Sequence, residues 1–297
     1  MLNKNLFSPN NFLALPEKLS KFEYSNFVLL PIPYEESTTF VKGTKYGPNA
    51  LICASQEVEL FDCELGFEPC EKGICTLGEL EPIVSNPEKM TKRIEDVAEN
   101  LLEKKKIILS IGGEHTITVG LIKAFKKKYQ NLSVLQLDAH ADLRDSYQGS
   151  KYSHACVMRR ISEFCPYVGV GIRSISTDEL SFAKEKKIKL FFAHKIKDNF
   201  SFFDEVLKLL SEDVYLSFDL DFLDPSIMPS VGTPEPGGIG WYETLYLLKR
   251  LAQTKNVVGL DLAELSPIPG NIAPNFLAAK LVYKMIGYII SMKKSKE

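Results

Sequence analysis

Little in this chain points to membranes, secretion or nucleic acid. No apolar run is long enough to span a bilayer; the longest, Leu281 to Met292, is interrupted by Lys284 and reads as a packed C-terminal helix. Met1 to Leu15, with Asn and Pro among them, lacks the charged, apolar, small order of a secretory leader, so a cytoplasmic location is expected. A formal charge of -2 gives no reason to expect nucleic acid or an anionic membrane as partner. The six cysteines, Cys53, Cys63, Cys70, Cys75, Cys156 and Cys165, form no C-x-x-C pair and show no disulfide-framework spacing. They read as small buried thiols, with a structural metal or disulfide among Cys63, Cys70 and Cys75 as a second reading. Glutamine is scarce beside abundant Lys and Glu, a composition met in thermophilic proteins. Only four histidines are present, which makes the position of each informative.

What is present is a soluble globular composition, 45% apolar and 25% charged over 297 residues, enough to bury a sizeable core. Asn26 to Pro33 reads as a buried strand ended by prolines, and Pro48 suits the first turn of a helix running towards Glu57. Ser85 and Glu88 fit a capping box for a helix to about Lys105, with Met90, Ile94, Val97 and Leu101 along one face. Apolar runs then alternate with amphipathic stretches. Strands are expected at Lys106–Ile111, Leu132–Leu137, Tyr167–Ile172, Ile188–Phe192, Val214–Phe218 and Val257–Leu260. Helices are expected at Ile117–Tyr129, Ser153–Phe164, Thr177–Lys186, Phe202–Leu210, Tyr242–Ala252 and Pro274–Ile290. The alternation predicts an α/β fold with a mostly parallel sheet of about eight strands and helices on both faces. It forms one domain over residues 1–297, with an N-terminal extension of about 25 residues. In such sheets ligands bind at the carboxyl ends of the strands.

Three strand ends carry candidate ligands. Ile107 to Ile111 leads into Gly112-Gly113-Glu114-His115, where the glycines allow a sharp exit and His115 follows it. Leu132 to Leu137 leads into Asp138-Ala139-His140-Ala141-Asp142, whose i, i+2, i+4 spacing in extended backbone aims three side chains the same way. Tyr215 to Phe218 leads into Asp219-Leu220-Asp221, again with same-face spacing. Any one of these could be a solvated acidic loop with an incidental His. Together, two imidazoles and four carboxylates at the ends of buried strands call for cations, because unpaired buried carboxylates are costly. Neutral imidazoles leave a ligand charge of -4, which two divalent ions balance, and an oxygen-rich set with one His per ion favours Mn²⁺ over closed tetrahedral Zn²⁺.

These segments, with Ser217-Phe218-Asp219-Leu220-Asp221-Phe222-Leu223-Asp224-Pro225, resemble the three signature motifs of the ureohydrolases, the arginase and agmatinase family. The likeness extends from about Pro31 to Pro267. It implies a three-layer α/β/α fold, two Mn²⁺ per subunit, and a homo-oligomer, trimer or hexamer. By that resemblance Asp138 and Asp219 bridge the ions, His115 and Asp142 complete one sphere, and His140 and Asp221 complete the other. Two cations sharing one water lower its pKa, and the family's reaction is attack of the hydroxide on a guanidinium carbon, releasing urea and a primary amine. Glu264, in Asp261-Leu262-Ala263-Glu264, matches the guanidinium-binding Glu, and His154 the proton carrier, a task suited to imidazole. His194 has no partner motif and reads as structural.

The substrate is narrowed by departures from arginase. That branch contacts its amino acid through Ser-Gly-Asn-x-His, and Gly149 to His154 here has no Asn two residues before the His. Thr233-Pro234-Glu235-Pro236-Gly237-Gly238 resembles agmatinase, and Glu235, with Thr233, would suit an amine tail. Agmatine, cleaved to putrescine and urea in polyamine biosynthesis, is therefore the first expectation. Arg144 to Gly149 departs from agmatinases, which keeps N1-aminopropylagmatine and guanidinobutyrate as alternatives, with arginine behind them. Other classes fit less well. A binuclear phosphoesterase would show a phosphate-cradling glycine loop, a single-zinc deacetylase would not need both His115 and His140, and a regulatory pseudoenzyme would have lost a ligand, His154 or Glu264.

Overall fold

The computed structural model of the protein describes residues 8–196 and 201–294. Its strands are β1 (Phe27–Ile32), β2 (Ile74–Thr76), β3 (Ile107–Gly112), β4 (Ser133–Leu137), β5 (Tyr167–Ile172), β6 (Lys189–Phe192), β7 (Asp213–Asp219) and β8 (Asn256–Ala263). Its helices are α1 (Glu17–Ser20), α2 (Gly47–Ser55), α3 (Pro87–Glu103), α4 (Ile117–Lys128), α5 (Val157–Ile161), α6 (Thr177–Glu185), α7 (Ala193–Ile196), α8 (Ser201–Lys208), α9 (Trp241–Thr254) and α10 (Ala273–Lys294). The eight strands form one sheet in the order β2-β1-β3-β8-β7-β4-β5-β6, and every neighbouring pair is parallel. The chain thus steps from β3 across two places to β4, and β8 and β7 later fill the gap.

Alternation along each strand divides the core into two layers. Phe27 and Leu29 of β1 join Leu109, Leu135, Leu216 and Leu260 under α2, α8, α9 and α10. Val28 and Leu30 join Ile108, Val134, Tyr215 and Val258 under α3, α4, α5 and α6. Both faces of the sheet are covered, which is why its strands are apolar throughout rather than alternating. No helix among the described residues is long and apolar enough to cross a membrane.

Several expectations change in detail. The helix starting near Ser85 is capped by Asn86, whose side chain accepts from Lys89 N–H; Ser85 has φ 61 and no box forms, because Pro87 at the first turn makes Asn86 the cap. The helix expected over Ser153–Phe164 shrinks to a 3-10 turn, His154–Cys156, and the short α5. Pro31 does not end β1. It pairs opposite Ile111, and its carbonyl faces Leu80 beyond the end of β2, a side where a missing N–H breaks no ladder. The N-terminal extension packs on the body, with Phe12 N–H donating to Thr76 and Leu13 N–H to Ser55. Cys70, Cys75, Cys156 and Cys165 are buried thiols, but Cys53 and Cys63 are exposed, and all six are free.

Lys284 is the residue that breaks the apolar run of α10, and it is buried. Its ammonium reaches both oxygens of Asp62 at 3.0 Å and Glu64 Oε2 at 2.6 Å. Tyr288 and Lys249 also donate to Glu64. Burial works to raise the Glu64 pKa, yet these three donors bring it down to about 2. A network of this kind is costly to break from one side, since the partner charge stays buried. Lys284→Met is expected to lower the unfolding free energy by roughly 3–5 kcal/mol, read from urea denaturation. An unchanged midpoint would mean that water reaches Asp62 freely.

Candidate metal centre and active site

Strand register sets the site. β3, β8, β7 and β4 are adjacent, and Ile111, Leu262, Phe218 and Leu137 lie in one row across them. Just past that row come Asp138, Asp219, Glu264 and His115, all buried. Gly113 makes the turn after β3 possible, because a Cβ there would lie 2.1 Å from the Tyr34 carbonyl oxygen.

The remaining ligand candidates arrive by a different route from the one expected. β4 ends at Leu137, Asp142 has φ 53, and Asp221 sits in the 3-10 turn Leu220–Phe222, so no extended alternation carries these side chains. Instead each leading Asp folds its own chain. Asp138 Oδ1 accepts from His140 N–H at 2.6 Å, and Asp219 Oδ1 from Asp221 N–H at 2.9 Å. Such Asx-type turns bend the backbone out of the sheet and bring the i+2 side chain back over the first.

Five of the six side chains meet in two groups that share Asp138: His115 with Asp138 and Asp219, and His140 with Asp138 and Asp221. His115 Nδ1 lies 3.1 Å from Asp142 Oδ2, 3.2 Å from Asp138 Oδ2 and 3.4 Å from Asp219 Oδ2. Donor atoms bound at about 2.1 Å to one ion stand roughly 3.0–3.5 Å apart, so this spacing fits a shared cation. His140 Nδ1 is 2.7 Å from Asp221 Oδ2 and 3.8 Å from Asp138 Oδ1. The other nitrogen of His115 meets Ser217 Oγ at 2.8 Å, and that hydroxyl donates to buried Asp261 at 3.0 Å. This outer chain fixes the ring so that Nδ1 faces the carboxylates.

The electrostatics describe a site built for positive charge. Burial, reinforced by the charges of Asp221 and then Asp142, pushes Asp138 up. Burial with Asp221 and Asp138 holds Asp219 well above the usual carboxylate range. Burial opposes a charge on His115 and His140, yet their acidic neighbours lift both above the ordinary imidazole value. Burial also raises Glu264. An oxygen-rich donor set with mutual repulsion and two imidazoles fits divalent cations.

A pocket of about 270 Å³ opens over these groups. His115, His140, Asp142, Asp219 and Asp221 form its floor, and Glu264, His154, Thr233 and Glu235 line it too. Asp138 lies beneath, fully buried. Glu264 has φ 67, its N–H donates to Gly113 O, and its Oε1 accepts from His115 N–H at 2.7 Å. Backbone and side chain are thus both tied to the turn that carries His115. His154 Nδ1 is 3.2 Å from Ser37 Oγ. His194 is exposed on α7 and stacks on Phe192, so its reading as a structural residue becomes a surface one. It lines a larger cleft of about 760 Å³ that holds none of the ligand candidates.

Sequence reasoning passed over several residues that hold the site. Arg173 donates to the backbone carbonyls of Asp221 and Glu235, joining the exit of β7 to the pocket wall. Gln136 donates to Asp138 Oδ2. Ser217, Asp261 and Glu114 stand inside the quoted motifs, and a polar side chain in an otherwise apolar strand was the signal for Ser217 and Asp261.

Comparison with known proteins agrees with this architecture. The arginase family profile matches residues 25–287. The chain is 40% identical to the N(1)-aminopropylagmatine ureohydrolase of Synechocystis sp., covering 95% of this chain and 97% of that one. It is 41% identical to the protein of the same name from Thermus thermophilus, covering 93% and 94%. Among solved structures, the agmatine ureohydrolase of Thermoplasma volcanium superposes with a TM-score of 0.89 at 31% identity over 99% of both chains. With its eight-stranded parallel sheet, its ligand candidates on three strand ends and these relatives, the chain belongs to the arginase family of ureohydrolases.

Proposed function

We propose that this enzyme hydrolyses the guanidino group of N1-aminopropylagmatine in preference to agmatine, with two Mn²⁺ per chain. The observation that carries the metal reading is the pair of imidazole–carboxylate groups sharing Asp138, one oxygen of which faces each imidazole. His115 and Asp142 would serve one ion and His140 and Asp221 the other, with Asp138 and Asp219 between them. The substrate order reverses the first expectation of agmatine, because the two relatives described above, at 40% and 41% identity, are named for the longer amine. Glu235 on the pocket wall, beside a rim that includes Thr38 to Val41 and Tyr147, supports a cationic tail leaving past an acid.

When bound, the cation pair supplies an acidified water near neutral pH. The rest falls to side chains. Glu264, rigid and buried, offers its carboxylate to the planar guanidinium, and the incoming cation offsets the burial that raises its pKa. His154, partly exposed beside the floor, carries a proton to the departing amine. Thr38 to Val41 line the mouth of the pocket.

Urea release with Mn²⁺ across N1-aminopropylagmatine, agmatine, guanidinobutyrate and arginine tests the substrate. The first is expected to show the highest kcat/KM, and a preference for any of the other three would overturn the substrate reading. Metal analysis is expected to give two ions per chain. Asp138→Asn should lose both and Asp221→Asn mainly one, and a fully active enzyme with a single ion would sink the binuclear reading. His154→Ala should lower kcat by roughly 10²–10⁴-fold. Glu264→Gln should instead weaken kcat/KM by about 1.5–3 kcal/mol, with metal content retained in both variants. Wild-type kcat in the first, or unchanged substrate affinity in the second, would remove that residue from its role.

A further inference from the structure

Three segments far apart in sequence meet at the Ser37 hydroxyl. It lies 2.8 Å from Glu114 Oε1, 2.9 Å from the His154 backbone nitrogen and 3.2 Å from His154 Nδ1. Glu114 is fully buried, and its other oxygen accepts the N–H groups of Glu36 at 2.7 Å and Ser37 at 2.6 Å. Its Oε1 also takes the Thr116 hydroxyl at 2.5 Å. With four donors aimed at it, the carboxylate acts as an acceptor only. The single hydroxyl proton of Ser37 therefore goes to Glu114, and the lone pairs left on Oγ can only accept. Two groups of one residue face them: the backbone N–H of His154, which donates, and its ring Nδ1, which would have to carry a proton to pair with a hydroxyl that can only accept. Ser153 Oγ is a longer contact of the same nitrogen, at 3.4 Å.

From this geometry we infer that Ser37, backed by Glu114, is a positioning residue that holds His154 in its Nδ1–H tautomer with Nε2 as the free ring nitrogen. The inference rests on the proton-carrier reading of His154. A histidine that hands protons to and from the reaction must present the same nitrogen each time, and a free imidazole exchanges tautomers and rotates. Glu114 precedes His115 in the chain, so one turn after β3 places a metal-ligand candidate and anchors the support for His154. The loop that follows β1 is held by the same carboxylate through Glu36 and Ser37, and the lip over the pocket, Thr38 to Val41, continues from it.

The test uses Mn²⁺-loaded wild type, Ser37→Ala, Ser37→Thr, His154→Ala and the Ser37→Ala/His154→Ala double variant on the best guanidino substrate. Ser37→Ala is expected to lower kcat by roughly 10–100-fold, the usual cost of losing a partner that orients an imidazole, with KM, metal content and thermal midpoint unchanged. Ser37→Thr should recover most of the loss. The double variant should be no slower than His154→Ala alone, because the support has nothing left to orient. Wild-type kcat in Ser37→Ala, or a full second loss in the double variant, would overturn the proposal. The tautomer is read without turnover from ring ¹⁵N shifts of histidine-labelled, Mg²⁺-loaded protein, which has only four histidines to assign. An Nδ1–H form in wild type that becomes mixed in Ser37→Ala supports it; an Nε2–H form in wild type refutes it. Absence of urea release from every substrate would defeat the reaction proposed above, while the ring shifts would still decide the positioning.

Discussion

Four buried aspartates gathered within a few ångströms repel one another strongly, and the rest of the molecule is arranged around holding them there. Two of the four, Asp138 and Asp219, stand at the end of a strand that is paired on both sides, and the other two follow them in the chain. The row Ile111, Leu262, Phe218, Leu137 leaves the side chains beyond it no freedom to separate along the strand direction. The core on both faces supplies the free energy that opposes the repulsion. A sheet with one strand slipped by a residue would turn every ligand candidate on it to the wrong side. The parallel register is therefore as much a part of this candidate metal centre as the carboxylates.

Much of this was legible in the sequence because buried parallel strands announce themselves as short apolar runs between breakers. Seven of the eight strands in the structure coincide with such runs; β2, only three residues at the sheet edge, is too short to carry a pattern. The motifs also located the floor of the pocket. What they could not convey was how Asp142 and Asp221 arrive there. Period-two reasoning supposes extended backbone, whereas the carboxylates of Asp138 and Asp219 compete for the backbone N–H two residues on and curl the chain. Left-handed backbone at Asp142 and Glu264 is likewise invisible in residue type, since neither is glycine. Such conformations persist only where the surroundings over-determine them, and both sit at the site.

Contacts between distant segments were the least legible. Ser37 has no motif of its own, and only the fold brings it to Glu114 and His154. The same arrangement occurs at His115, where Nε2 meets Ser217 and Ser217 donates to Asp261. In both places a serine hydroxyl stands between an imidazole and a buried carboxylate. The hydroxyl has a single proton, so an acceptor on one side decides its role towards the ring on the other. A carboxylate placed directly against either ring would add a full negative charge next to it. The interposed serine passes on the orientation while keeping that charge one side chain away, which matters in a site already crowded with carboxylates.

The floor and the rim of the pocket are thus held by different means. The floor is tied to strand register and tolerates little change. The rim is made of loops pinned by charged residues. Glu35 accepts from the N–H groups of Gly43 and Lys45, closing the loop that carries Phe40 and Val41. Asp224 accepts from Gly237 and Gly238, and Arg173 holds the Glu235 carbonyl, which together set the wall bearing Thr233 and Glu235. Arg160 pairs with Asp145, which follows Arg144 in the segment leading to Tyr147. A loop pinned in this way has little ordering entropy left to lose when a substrate tail settles against it. Side chains along it can change without disturbing the pins or the ligand candidates, so the rim can vary while the floor stays the same.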